Sequence, residues 1–175
     1  MAVLIPGKLL YLCQPRTGSM ATCTALMQLP GAIEPRNHHI SFAEVKEKHD
    51  YNGELIVTTV RNHWDTTVSW WLLDARRLSL YNFCENYRHS HAMKNHKYWW
   101  LHEKMAQKIL RYENLVQEIN GILKALDLPS VNFVTVNATP EKRHWKYHMS
   151  EEAFERTKTY FWEEIQLYGY DQSYG

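Results

Sequence analysis

No run in the chain approaches the roughly 20 consecutive apolar residues that a helix needs to cross a bilayer, so no membrane anchor is expected. The opening segment, Met1 to Leu12, carries Lys8 within its apolar stretch and has no small-residue cleavage site. It reads as strand rather than as a secretory signal, and a soluble, cytoplasmic protein is the expectation. Excess charge is also missing. Twenty Lys and Arg against nineteen Asp and Glu leave a net charge of +1, which is not the footprint of a nucleic-acid binder. Any anion site must therefore be assembled locally from a few residues. Only three cysteines occur, Cys13, Cys23 and Cys84, and none forms a C-x-x-C pair. That odd count argues against a disulfide framework or zinc knuckle and favours buried thiols in a reducing compartment. No internal repeat, low-complexity tract or linker divides the 175 residues, so residues 1–175 are read as one domain.

What is there is an alternation of short apolar runs and amphipathic stretches. Lys8 to Cys13 (KLLYLC) reads as a strand, Gln14 to Ser19 as a turn marked by Pro15 and Gly18, and Ser19 to Leu29 as a helix stopped by Pro30-Gly31. Ser41 with Glu44 forms a capping box opening a helix to about His49. Glu54 to Val60 (ELIVTTV) is a β-branched run suited to a strand buried on both faces, and Thr66 to Leu73 reads as the helix after it. Ser79 to Tyr87 and Lys94 to Lys104 read as helices, Lys108 to Tyr112 as a third strand and Val131 to Val136 as a last short one. Glu113 to Leu126 places Leu115, Ile119, Ile122, Leu123 and Leu126 at helical spacing. Pro140 to His148 is a basic loop, and Ser150 opens a final helix to about Leu167. Strands alternating with helices imply an α/β fold with a mostly parallel sheet flanked by helices. In such sheets ligands sit beyond the carboxyl ends of the strands, where the loops at 14–19 and 61–65 fall.

Four segments carry candidate chemistry. In Pro15-Arg16-Thr17-Gly18-Ser19-Met20-Ala21-Thr22 a glycine-bearing turn opens a helix, which presents backbone N–H groups and a positive dipole end to an anion. Arg16 adds a charged fork, and Thr17, Ser19 and Thr22 add hydroxyls. The plainer reading is an ordinary turn with Ser19 as helix cap. The ATP and GTP pattern G-x-x-x-x-G-K followed by Ser or Thr is absent, and no acidic magnesium ligand adjoins the loop. In Arg61 to Ser69 (RNHWDTTVS) an arginine at a strand end precedes a serine eight residues on, and the two can converge on one anion. The plainer reading there is an Arg61–Asp65 ion pair with Ser69 as a helix-face hydroxyl. The third segment is Arg111-Tyr112-Glu113-Asn114-Leu115 and the fourth Glu141 to Lys146.

In this order and spacing the four segments resemble the sulfotransferase superfamily that uses 3′-phosphoadenosine-5′-phosphosulfate (PAPS), its carbohydrate and bacterial types in particular. Pro15 to Ala21 is similar to that family's 5′-phosphosulfate loop, and Arg61 with Ser69 to its 3′-phosphate pair. Arg111 to Leu115 is similar to its R-Y-E-D-L segment, Lys142 to Tyr147 with Ser150-Glu151-Glu152 to its late basic loop and terminal helix, and Tyr168-Gly169-Tyr170-Asp171 to its ending. The resemblance implies a three-layer, P-loop-like fold and metal-free, in-line sulfuryl transfer to a hydroxyl or amine, releasing 3′-phosphoadenosine-5′-phosphate (PAP). It implies PAPS contacts from Arg16, Thr17, Gly18, Ser19, Met20, Ala21, Thr22, Arg61, Ser69, Lys142 and Arg143. Arg16 would also stabilise charge on the leaving oxygen. His39, before Ile40-Ser41-Phe42, matches the placing of a catalytic base in members acting on carbohydrates; His38 is the alternative, and Glu34 and Glu44 are fallback bases.

The chain departs from the family at Arg16, where many soluble members carry Lys, at Met20, where a hydroxyl residue is usual, and in its shortness. The short length leaves little room for acceptor-binding insertions. His89, His91 and His96 lack the spacing of a zinc site. The aromatic-rich stretch from Tyr81 to Trp100 offers either a homodimer face or a cleft for a small-molecule or carbohydrate acceptor. The rival classes are a nucleotide-dependent phosphotransferase of kinase type, a catalytically silent nucleotide-binding module and a protein-interaction domain.

Overall fold

The computed structural model describes residues 2–34, 42–49, 51–74, 77–85, 104–134 and 143–174. The chain forms two compact units, Met1–Val60 with Tyr98–Asn137, and Arg61–Lys97 with Ala138–Gly175. The fold is α/β, with one open four-stranded sheet and, among the described residues, seven α-helices.

The first unit holds the sheet, in the order β1-β2-β3-β4. Strand β1 (Ala2–Ile5) runs antiparallel to β2 (Leu9–Leu12), with Ala2 opposite Leu12. The expected single strand over Met1 to Leu12 is thus two, because Pro6 and Gly7 turn the chain. Gly7 sits at φ 70, and Lys8 N–H donates back to the Ile5 carbonyl at 3.0 Å. Strands β3 (Leu55–Val60) and β4 (Lys108–Arg111) extend the sheet in parallel, pairing Tyr11 with Val57 and Thr59 with Leu110. The last five residues of β3 are all buried, as its β-branched run anticipates. Strand β4 ends the sheet among the described residues, and of its four residues only Leu110 is buried.

Alternation along β1 and β2 sorts the side chains onto two faces. Val3, Ile5, Leu9, Tyr11 and Cys13 pack with Cys23, Ala25 and Leu26 of α1 (Ser19–Leu26) and with Leu115, Ile119, Ile122 and Leu123 of α5 (Leu115–Ala125). Ala2, Leu4, Leu10, Leu12 and Ile56 pack with Val45 of α2 (Phe42–Lys48). Lys8 Nζ donates to the Leu126 carbonyl just past α5, a cation at the negative end of that helix.

Residues 131–134, expected to begin a last strand, have no strand structure. The Asn120 side chain of α5 takes the place of a neighbouring strand. Its Oδ1 accepts from Val131 N–H at 2.9 Å, and its Nδ2 donates to the Val131 carbonyl at 3.2 Å. Both backbone groups of Val131 are satisfied without a ladder. Residues 135 and 136 of that expected strand lie outside the described residues, as do Ser41 of the capping box and 86–103, which include most of the expected second aromatic helix.

The second unit is helical. Helix α3 (His63–Asp74) begins earlier than Thr66 because Asn62 caps it: Asn62 Oδ1 accepts from Asp65 N–H at 3.1 Å and the Asn62 carbonyl from Thr66 N–H. Trp64 is fully buried and stacks on Phe154 at 4.7 Å and 9° and on Trp145 at 5.7 Å. Its Nε1 donates to the Phe154 carbonyl at 3.2 Å, satisfying the indole. Helix α4 (Leu80–Glu85) is tied to α6 (Glu151–Tyr160) by Arg156, which bonds the Glu85 carboxylate and the Tyr81 hydroxyl, each at 2.7 Å. Ser150 caps α6, its Oγ accepting from Ala153 N–H. The expected helix to Leu167 is broken at Phe161, whose φ of −106 ends α6 and starts α7 (Trp162–Tyr168). Phe161 is 1% exposed, and the break keeps its ring inside against His63 at 4.6 Å. Among the described residues no helix is long and apolar enough to cross a membrane.

Candidate anion-binding site

The loop after β2 is built on backbone rather than on side chains. Arg16 stands at φ 64 and Gly18 at φ 73, while Thr17 between them keeps a negative φ. A backbone alternating in this way turns successive N–H groups toward one side, the geometry of an anion nest. A left-handed arginine is strained by about 1–2 kcal/mol, so something must hold the turn. Thr17 does so: it is 3% exposed, and its hydroxyl donates to the Gln14 carbonyl at 2.8 Å. Gly18, not Ser19, is the N-cap of α1, and a glycine has no side chain with which to cap it. The first-turn amides of a helix have no partner within the helix itself, so an anion can accept from them.

Two of the three expected hydroxyls turn inward. Besides Thr17, Thr22 is fully buried and bonds the Gly18 carbonyl at 3.1 Å. Both hydroxyls bond carbonyls of the loop itself. Arg16, Gly18, Ser19 and Ala21 are half-buried, and Met20 is exposed.

The third motif meets the first. After β4 the chain turns through a 3-10 segment, Tyr112–Asn114, and the Tyr112 ring lies against Gly18. A Cβ at Gly18 would come 2.8 Å from Tyr112 Cε2 and 3.2 Å from Leu115 Cδ2. Residues Tyr112 and Leu115 therefore form the wall behind the loop, a role that the motif by itself does not reveal. Arg111 N–H is taken by the Glu118 carboxylate at 3.0 Å, which fixes the end of β4.

The second unit contains the other candidates. The Arg61 guanidinium pairs with Asp65 one turn on, through Nε at 2.7 Å and through Nη2. This is the local ion pair of the plainer reading. It consumes one edge of the planar fork and fixes the orientation of the group. Ser69 lies two turns into α3 and is buried. Arg143 is exposed, and its backbone N–H donates to His148 Nε2 at 3.4 Å. Lys142, His38 and His39, and the histidines at 89, 91 and 96, lie outside the described residues.

The buried core of the first unit also holds two polar pairs. Tyr11 Oη and Thr59 Oγ1 are hydrogen bonded at 2.8 Å, and the Cys13 and Cys23 sulfurs are 2.8 Å apart. Burial, with the Cys13 thiol nearby, pushes the Tyr11 hydroxyl far above its ordinary value, so it stays protonated. The signal for the pair was present as one cysteine ending a strand and another a turn into the next helix. Comparison with family models, curated proteins and solved structures gives no match to this chain.

Proposed function

We propose that the chain is a sulfotransferase that moves the sulfuryl group of PAPS to a hydroxyl or amine by direct in-line transfer, on a three-layer, P-loop-like fold. The observation that carries this reading is the loop at 14–18. It has left-handed residues on either side of Thr17, and it opens a helix with a glycine N-cap at the carboxyl end of a parallel strand. Such a loop suits an anionic group held by backbone N–H donors.

In this reading the amides of residues 18–21 and the Arg16 guanidinium hold the 5′-phosphosulfate. Arg61, oriented by Asp65, and Ser69 hold the 3′-phosphate, with Lys142 and Arg143 assisting. Arg suits phosphate because its fork binds two oxygens at once. The acceptor oxygen or nitrogen attacks sulfur, and the bond from sulfur to the bridging oxygen breaks. PAP leaves with the electron pair, and Arg16 and the loop amides stabilise the charge that grows there. The acceptor proton passes to His39, with His38 the alternative.

The experiment is a thermal-shift comparison. PAP should raise Tm, as any ligand bound only by the folded state does, whereas magnesium–ATP at the same concentration should not. A shift with magnesium–ATP alone would favour a phosphotransferase, and no shift with either would remove the nucleotide reading.

A further inference from the structure

We propose that Cys13 and Cys23 form a redox pair that peroxide closes to a disulfide across the anion loop. Both are thiols in this structure, and both are buried, 3% exposed each. Cys13 follows directly on β2 and Cys23 lies one turn into α1, so the two sulfurs bracket residues 14–22. At 2.8 Å they need to approach by less than about 1 Å to reach the length of a disulfide bond, about 2.05 Å.

Cys84 supplies an internal reference. It is 5% exposed, as buried as the other two, and its sulfur meets the Thr157 hydroxyl at 3.7 Å rather than a second sulfur. Access therefore does not separate the three cysteines, whereas proximity does. One thiol, losing its proton, attacks a peroxide oxygen and becomes a sulfenic acid, and the departing hydroxide takes that proton to form water. The partner thiol attacks the sulfenyl sulfur, and the second hydroxide leaves with the second proton. Two thiols and one hydrogen peroxide give one disulfide and two waters. The two electrons come from the sulfur pair. Burial pushes the Cys13 thiol up, which makes the first step slow; proximity decides its product.

The closed bond makes residues 14–22 a covalent ring containing Arg16 and Gly18, which would hold the loop in one shape. The inference rests on the placement of β2 and α1, not on the nucleotide reading.

The test treats the folded full chain with hydrogen peroxide, then unfolds it, labels free thiols with a maleimide and maps peptides by mass. The expected result is a loss of two of the three thiols, a peptide pair joined through Cys13 and Cys23 and lighter by two hydrogens, and full labelling of Cys84. Dithiothreitol restores all three, and Cys84→Ser gives the same linked pair. Three labelled thiols after an exposure that oxidises free glutathione in the same tube would overturn the proposal. So would oxygen addition at Cys13 or Cys23 without a link, or loss of Cys84 at an equal rate.

Discussion

The Tyr112 ring lies so close to Gly18 that one added carbon at Gly18 would sit 2.8 Å from its Cε2. Two motifs far apart in the chain, the loop after β2 and the segment after β4, meet at this contact. Gly18 has two separate reasons to be glycine, its φ of 73 and the ring beside it.

Gly18→Ala should therefore destabilise the fold by about 1–3 kcal/mol, from the left-handed backbone and the crowding together. Tyr112→Ala in the same chain removes the crowding but not the backbone strain. A double-mutant cycle in urea should show the two substitutions to be non-additive, with the pair less damaging than the sum. Strict additivity would mean that the ring does not constrain the loop.

Glu54 ties two turns together, accepting from Gly7 N–H and Asn52 N–H at 2.8 Å each. Burial raises its pKa, but these bonds and one from its own amide outweigh burial and leave it below the ordinary carboxylate value. A depressed pKa gives stability that is present above the unfolded value of about 4.3 and is lost as pH falls through the folded value. Urea unfolding at neutral pH and at about pH 3 should show wild type losing more stability than Glu54→Gln. Equal losses would remove Glu54 from the acid response.

Asn120→Ala should cost about 1–3 kcal/mol, since it leaves both backbone groups of Val131 without their bonds to α5. Amide exchange at Val131 should quicken with it. Unchanged exchange would show that another group holds this segment.

Trp64→Ala should lower stability by about 3–5 kcal/mol, because the indole is fully buried against Phe154 and Trp145, which also meet each other. Chemical denaturation followed by far-ultraviolet circular dichroism would measure it. A loss under about 1 kcal/mol would mean that the aromatic stack does not hold the second unit.

Much of this architecture was legible in the residues, and the failures share a cause. The strand at Leu55–Val60 and the helix at Leu115–Ala125 announced themselves by a β-branched run and a 3.6-residue period. The loop at 14–18 showed as a glycine-bearing turn between strand and helix. The missed features depend on tertiary partners. Asn120 reaching Val131 replaced an expected strand, and the buried Phe161 split an expected helix. Composition also cannot show that the Thr17 and Thr22 hydroxyls bond the carbonyls of Gln14 and Gly18. The ion pair of Arg61 with Asp65 was one of two readings open at four-residue spacing, and the structure contains it.

Under the proposed function the chain binds a nucleotide carrying a 3′-phosphate and a 5′-anion. Calorimetric titration with PAP, on wild type and on Arg61→Ala, measures that binding. Micromolar binding to wild type is expected, with a loss of roughly tenfold or more in the variant, about 1.4 kcal/mol, and folding intact by circular dichroism. No heat from wild type, or equal affinity in both proteins, would contradict it.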